Sequence, residues 1–520
     1  MKSDVKILLG ILSVLAFGGV LCGCGFGVIL IAVRLFAGSE AAPPAAPMPS
    51  AAPQATFTVT RSAATAAPGE TGPLDPALVG ADGIGDPYYP KMGNGGYDVR
   101  HYDLSIRVDL DVEEIDAVAV IAARSLQALG RFNLDLLEFD ITSVQVDGAE
   151  AEFAQADGEL IITPAAVIPK DSDFTVAVAY HGRPGGGNEY GGIDYLEGWN
   201  FHPGGVIVAG EPTGAETWFP SNNHPADKAA FDFHITVAKP YTAAANGVLK
   251  ETADNGDGTR TFHWVMDNPM ATYLSTVAIG NFELLEGASA AGRPFRNFVD
   301  ADVLADLDPG VNALPAAMDF FSETFGPYPF ATCGVVVHQI PLQFSLENQT
   351  LINMGYNFAN ETVTVHELAH QWYGDSVSVA AWKDIWLNEG FASYAEDLWW
   401  EHTKGTSALK DDLAARYHRI ANLPLSQVNL LGDPGPDHLF DVEVYFRGAL
   451  TLHALRLKVG DPTFFRILQT YFQQFKDKNA STEEFIGLAE EISNQPLEDF
   501  FRTWLYEKEL PDIPELGLSS

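Results

Sequence analysis

From Tyr97 the chain reads YDVRHYDLSIRVDLDV, apolar and polar residues alternating with period two. That is the pattern of a strand with one buried face. Similar runs follow: AVAVIAARSL, LDLLEFDITSVQVDG, ELIITPA, DFTVAVAYHG and DFHITVA. Asn255-Gly256 and Asp257-Gly258 stand between two further runs and predict a hairpin, because glycine reaches positive φ without strain. Beyond about Leu285 the period changes. AAMDFFSETFGPYPF predicts a helix, CGVVVHQIP a strand, and the signals after Asn360 are mostly helical. Helix ends are also marked. Gly460 predicts the end of the helix DVEVYFRGALTLHALRLKV, Asp461 an N-cap with Pro462 in the first turn, and Ser481 with Glu484 a capping box.

These elements imply an α+β, multidomain chain: an antiparallel β domain over 86–285, then a mainly helical domain over 286–520. Ahead of them lies different material. Residues 37–85 are rich in Ala and Pro and read as a spacer that buries no core. Within 1–36, no charge interrupts Ile7 to Val33, which is long enough to span a bilayer with tilt. Lys2 and Lys6 precede it, which puts the short N-terminal tip in the cytoplasm. The expectation is a single-pass cell-membrane protein with an extracytoplasmic body. A lipoprotein processed at Cys24 is the rival, disfavoured by the apolar FGVILIAV that follows it.

Composition narrows the partners. Of 520 residues, 69 are acidic and 30 basic, a formal charge of -39, so there is no basic surplus to neutralise phosphates and no nucleic-acid partner is expected. Three cysteines, two of them in the apolar run, make no disulfide framework. The oligomeric state stays open.

The chemistry concentrates in VHELAHQWYGD. Positions i and i+4 share a helix face, so His366 and His370 point the same way, with Glu367 beside them. Two imidazoles on one ion need a third ligand and an open position. Separated from His370 by eighteen residues, WLNEGFASY offers Glu389 on a second helical stretch. A pair of core histidines is the dull reading of HELAH alone; the placement of Glu389 argues against it. His338, His418, His438 and His453 lack ligand spacing and read as structural, as do Trp399 and Trp400. Asp375 is a candidate partner for orienting a histidine.

VHELAHQWYGD with WLNEGFASY resembles the gluzincin metallopeptidases, and among them the aminopeptidase N family. The resemblance covers about residues 86–520 and implies a thermolysin-like catalytic domain with one Zn2+ held by His366, His370 and Glu389. It implies Glu367 as the base acting on water in the open position, then as the acid toward the leaving amine. In FSLENQT, Glu347 and Asn348 match the family's exopeptidase motif, with Leu346 in place of Met, and Glu347 would hold the substrate's free ammonium. VYFRGALTLHALR supplies Tyr445 as the oxyanion donor, although Phe446 and Arg447 depart from the usual Glu and Lys. VIVAGEPTGAETWFPSNNHPADKAAF resembles the stretch that contributes a second amine-binding group, here Glu211. Most members carry a further helical C-terminal domain, which this short form lacks. The closed chamber is then absent or rebuilt by another subunit.

The implied activity is zinc-dependent removal of the N-terminal residue from peptides with a free N-terminus. Two alternatives stand beside it. One is another hydrolase on the same zinc site, an endopeptidase or an epoxide hydrolase. The other is a non-catalytic, peptide-binding membrane protein.

Overall fold

The computed structural model describes residues 75–185, 197–342 and 344–519. The alternating runs pair into an eight-stranded sheet. In chain order its strands are Tyr97–Asp109, Glu114–Ser125, Asp140–Val146, Ala149–Glu150, Asp173–Gly182, Ala229–Ala238, Val248–Asp254 and Thr259–Met270. Tyr102, Leu104, Ile106 and Val108 face the core while the residues between them face outward, as the period requires. The hairpin forms where the glycines predict it, with Gly256 and Gly258 at φ 77° and 93°. Pairing is antiparallel throughout the sheet except between Tyr97–Asp109 and Ala229–Ala238, which run parallel. A short turn forces antiparallel pairing, but about a hundred residues separate these two strands, so either direction is open to them.

A four-stranded sheet packs into the same half: Gly198–His202, Gly205–Ala209, Thr242–Ala245 and Val277–Gly280. A further sheet joins Phe282–Ala288, Pro294–Asp300, Val335–His338, Ile352–Gly355 and Ser345–Leu346. The division expected after Leu285 falls inside the first of these strands. Among the described residues there are eight α-helices: α1 (Leu314–Thr324), α2 (Glu361–His370), α3 (Trp386–Lys404), α4 (Thr406–Ala421), α5 (Val442–Val459), α6 (Asp461–Phe475), α7 (Thr482–Ser493) and α8 (Glu498–Tyr506).

Both halves belong to one compact unit, Thr71–Ser520, and polar contacts stitch them. Asp86 Oδ2 accepts from Trp382 N at 2.9 Å, and Lys228 Nζ donates to the carbonyls of Asp375 and Ser376 at 2.8 and 3.0 Å. Asn246 Nδ2 donates to the Gln349 carbonyl at 2.7 Å.

Most marked helix ends hold. Gly460 closes α5 at φ 81°, and Ser481 with Glu484 forms the full capping box of α7. Asp461 differs: Gly460 takes the N-cap position of α6, and Asp461 sits in the first turn. Its carboxylate is drawn to Arg456 instead, with Nε and an Nη at 3.0 and 2.9 Å. A bidentate ion pair outweighs a single capping bond. No described helix is long and apolar enough to cross a membrane. The apolar run Ile7–Val33 and the spacer through Leu74 lie outside the described residues.

Candidate active site

HELAH forms the last turn of α2, a helix begun by Asn360, whose side chain accepts from Val363 N at 3.2 Å. The i, i+4 spacing turns both imidazoles to one side, their centroids 4.8 Å apart. α3 packs against α2 and delivers Glu389. Its Oε2 lies 3.2 Å from His366 Nε2 and 3.5 Å from His370 Nε2. Donor atoms of the three side chains all fall within 4.8 Å of one another.

The far nitrogens fix the tautomers. His370 Nδ1 lies 3.1 Å from the Tyr373 carbonyl, which only accepts, so Nδ1 carries the proton and Nε2 keeps its lone pair. His366 Nδ1 lies 2.7 Å from Glu396 Oε1. Burial alone would raise the Glu396 carboxyl, but Arg416 at 2.8 Å outweighs it and holds the group below its ordinary value. Glu396 therefore accepts from Nδ1, and the Nε2 of His366 is the nitrogen that faces Glu389. Neither Glu396 nor Arg416 was marked by motif. The available signal was spacing: Glu396 stands seven residues after Glu389, two turns along the same face of α3. Asp375, the candidate for this orienting role, does not fill it. Its backbone N donates to the His370 carbonyl at 2.9 Å, but both its carboxyl oxygens are buried without a hydrogen-bond partner among the described residues.

Glu211 and Glu347 arrive from two sheets. Glu211 lies just beyond the strand Gly205–Ala209, and Glu347 just beyond the edge strand Ser345–Leu346. Donor oxygens of Glu211, Glu347 and Glu389 cluster within 4.8 Å, as do those of Glu347, Glu367 and His370. Amides hold the Glu347 loop. Gln371 Nε2 donates to the Glu347 carbonyl at 2.9 Å, and Gln371 Oε1 accepts from Thr350 N at 2.8 Å. Asn348 is clamped by Asn353 at 2.6 Å and donates to the Leu274 carbonyl at 3.2 Å. Gln371, which directly follows HELAH, is a positioning residue that motif reading passed over.

Tyr445 comes from α5, its ring stacked on His366 at 5.9 Å. Its approach depends on two glycines. A Cβ on Gly448 would sit 2.6 Å from the Gly390 Cα, so α3 and α5 meet backbone to backbone only because both are glycine. Burial, then the charges of Glu389, Glu211, Glu367 and Glu347, push the phenol well above its usual range, so it stays a proton donor. Arg447, one of the departures noted above, points elsewhere: it is buried and donates to the carbonyls of Trp504, Thr503 and Lys508 at 2.8, 3.1 and 3.0 Å.

Four carboxylates thus share one buried space. Burial pushes Glu367 up to about 8, against the pull of His366 and His370. Burial and then Glu347 and Glu389 raise Glu211 well above the usual carboxylate range. Glu211 Oε1 and Glu347 Oε1 are buried without a hydrogen-bond partner among the described residues. Two imidazole Nε2 atoms facing one carboxylate are the donor set of a catalytic zinc, and a divalent cation would offset the mutual repulsion of the crowded carboxyl groups. The remaining histidines named above lie elsewhere. His338 is buried against Asn353 at 3.0 Å, His453 against Tyr394 at 3.1 Å, and His438 pairs with Asp441 at 2.7 Å. His418 is exposed on α4. Trp399 is buried.

Comparison with known proteins gives a consistent answer. The Peptidase M1 N-terminal domain matches residues 99–274, and the Peptidase family M1 domain matches residues 311–504. Aminopeptidase M1-C of Oryza sativa subsp. japonica is 28% identical over 458 residues, covering 80% of this chain and 50% of the relative. Glutamyl aminopeptidase of Rattus norvegicus is 28% identical over 343 residues, covering 59% of this chain and 35% of the relative. The chain spans half the length or less of these curated relatives. Among solved structures, a mutant M1 zinc metallopeptidase of Deinococcus radiodurans bound to a Tyr-Ser-Ala substrate aligns with a TM-score of 0.78 at 30% identity. That alignment covers 84% of this chain and 100% of the neighbour. A two-domain M1 zinc metallopeptidase mutant bound to L-arginine aligns with a TM-score of 0.77 at 30% identity, covering 83% of this chain and 99% of the neighbour. The two family matches, which together cover most of residues 99–504, and the fold shared with this neighbour agree, and the chain belongs to peptidase family M1.

Proposed function

We propose that this chain is a zinc-dependent aminopeptidase that removes the N-terminal residue from peptides. The observation that carries the reading is the convergence of His366 and His370 Nε2 on Glu389, with the buried, unpaired oxygens of Glu211 and Glu347 beside them. His366, His370 and Glu389 hold the ion. When bound, zinc supplies Lewis acidity, which acidifies water and polarises a carbonyl. Glu367 takes the proton of the attacking water and passes it to the leaving amine. The Tyr445 hydroxyl donates to the oxygen that gains charge as the carbonyl becomes tetrahedral. Glu347 and Glu211 accept from the substrate's ammonium. Those charge-assisted bonds tie the reacting carbonyl to the first residue, so cleavage falls at the first peptide bond.

Two body domains serve this site, a β domain over 86–285 and a thermolysin-like domain over 286–520. The separate family matches at 99–274 and 311–504 and the two-domain neighbour support that division. The strand Phe282–Ala288 pairs with Pro294–Asp300, so the proposed boundary falls within a strand that belongs with the second domain's sheet. The apolar run from Ile7 to Val33 anchors the protein in the cell membrane with the body extracytoplasmic, and its length and lack of charge support this. Lipid attachment at Cys24 is the alternative means of anchoring.

The test is zinc content together with hydrolysis of amino-acid anilides by the purified protein. Stoichiometric zinc and rapid cleavage, abolished by N-acetylation of the substrate, are expected. Equal cleavage of free and acetylated substrates would replace the aminopeptidase with an endopeptidase. A zinc-loaded protein that cleaves neither would leave the binding-protein alternative.

A further inference from the structure

Far from HELAH in the sequence, three strands bring another set of imidazoles and carboxylates together on the outer face of the eight-stranded sheet. The strand Tyr97–Asp109 contributes His101 and Asp103, Ala229–Ala238 contributes Asp232 and His234, and Thr259–Met270 contributes His263. A register shift between Val99 and His101 puts His101 there: Val99 and Tyr102 are both buried, so strict alternation from Val99 would have turned His101 inward. Asp232 Oδ2 lies 2.8 Å from His101 Nε2, and its Oδ1 lies 2.5 Å from His263 Nε2. His234 stacks on His263 with centroids 4.1 Å apart, and its Nε2 lies 3.6 Å from Asp103 Oδ1.

The layout joins strands through Asp232, yet it contains one unfavourable pairing. Asp103 stands directly opposite Asp232, and His234 directly opposite His263. Like charges in facing positions weaken a sheet, so two carboxylates placed there call for a compensating cation. The same layout suits a cation. Donor atoms of Asp232, His234 and His263 all lie within 4.8 Å of one another. Donors held about 2.0–2.1 Å from a tetrahedral zinc are about 3.3 Å apart. His263 Nε2 lies closer than that to Asp232, at 2.5 Å, and small rotations of side chains 23–33% exposed open the space an ion needs. Glu251, opposite His263 on the next strand, adds negative charge at the rim.

We propose that this face binds a second divalent transition-metal ion, with Asp232, His234 and His263 as ligands, water completing the shell, and His101 steadying Asp232 through its other oxygen. Imidazole with carboxylate selects the zinc and copper class over magnesium or calcium. The ion ties two adjacent strands of the β half and takes no part in peptide hydrolysis. Asp103 orients His234.

The experiment measures zinc per chain after dialysis of the full-length protein against micromolar free zinc. Two ions are expected in the wild type. His234→Asn with His263→Asn retains one and leaves anilide turnover unchanged. His366→Asn with His370→Asn retains the other and loses turnover. Asp103→Asn, a milder change on the surface, weakens the second site by about 10- to 100-fold. Zinc content that is the same in the wild type and in the His234/His263 double variant overturns the proposal. So does a second-site affinity unmoved by Asp103→Asn.

Discussion

His366, His370 and Glu389 come from two packed helices and are 12%, 2% and 4% exposed; His101, Asp232, His234 and His263 come from three strands and are 36%, 23%, 33% and 28% exposed. In the buried cluster each imidazole is locked through its far nitrogen, by Glu396 or by the Tyr373 carbonyl, so that the near nitrogens are committed before any ligand arrives. On the sheet His101 and His263 both turn Nε2 to Asp232, at 2.8 and 2.5 Å, and among the described residues no carbonyl or buried carboxylate behind the rings locks them in place. The difference teaches what burial adds. Desolvation strengthens every interaction among the groups, raises the cost of leaving one unpaired, and so fixes one geometry. An open face with the same residue types stays adjustable, which suits holding an ion and not driving a reaction.

The comparison breaks most sharply at the proposed base. Glu367→Gln is expected to keep zinc and lower turnover by about 100- to 10,000-fold. Near-normal turnover would remove the base from the mechanism. His263→Asn, the corresponding change on the sheet, leaves turnover intact. Next in size is Arg416→Met. The guanidinium is buried against Glu396, Asp397 and Asp412 at 2.8, 3.4 and 3.0 Å, and removing it strands those carboxylates, at a cost of about 3–5 kcal/mol in denaturant unfolding. A loss below 1 kcal/mol would mean the network does not support His366.

Glu347→Ala removes a charge-assisted bond to the substrate's ammonium, worth about 1.5–3 kcal/mol. The Michaelis constant for amino-acid anilides should rise accordingly, while the zinc content holds. An unchanged constant would count against the amine anchor. Gly448→Ala forces α5 from α3 and is expected to cost about 1–3 kcal/mol in stability, with turnover falling as Tyr445 is displaced. Wild-type turnover in that variant would separate Tyr445 from the chemistry. The smallest effect is a control outside both clusters. Ser481→Ala breaks the capping box of α7 and lowers stability by about 1 kcal/mol, measured by thermal unfolding, with kcat unaltered.

Local rules made much of this legible. The period-two runs became the eight-stranded sheet, the Asn-Gly and Asp-Gly pairs its hairpin, and HELAH a helix end. Each depends on residues within one turn or one strand. The misses share the opposite character. The parallel pairing of Tyr97–Asp109 with Ala229–Ala238 joins strands far apart in the chain. Asp461 reads as a cap until Arg456 is folded against it. Asp375 looks like a partner for histidine until Glu396, on a different helix, is seen to occupy that place.

By itself the sequence determined the donor types and their spacing: two histidines one turn apart, a base between them, and a glutamate beyond an eighteen-residue gap. Helix geometry is local, so this much follows from counting. Only the tertiary structure decided that Glu211 and Glu347, from two different sheets, face that site, and that Gly390 and Gly448 let Tyr445 reach it. It alone also revealed His101, Asp232, His234 and His263 as one cluster. Their meeting depends on strand register and on one bulge, set by the packing of the whole sheet and not by any stretch of neighbouring residues.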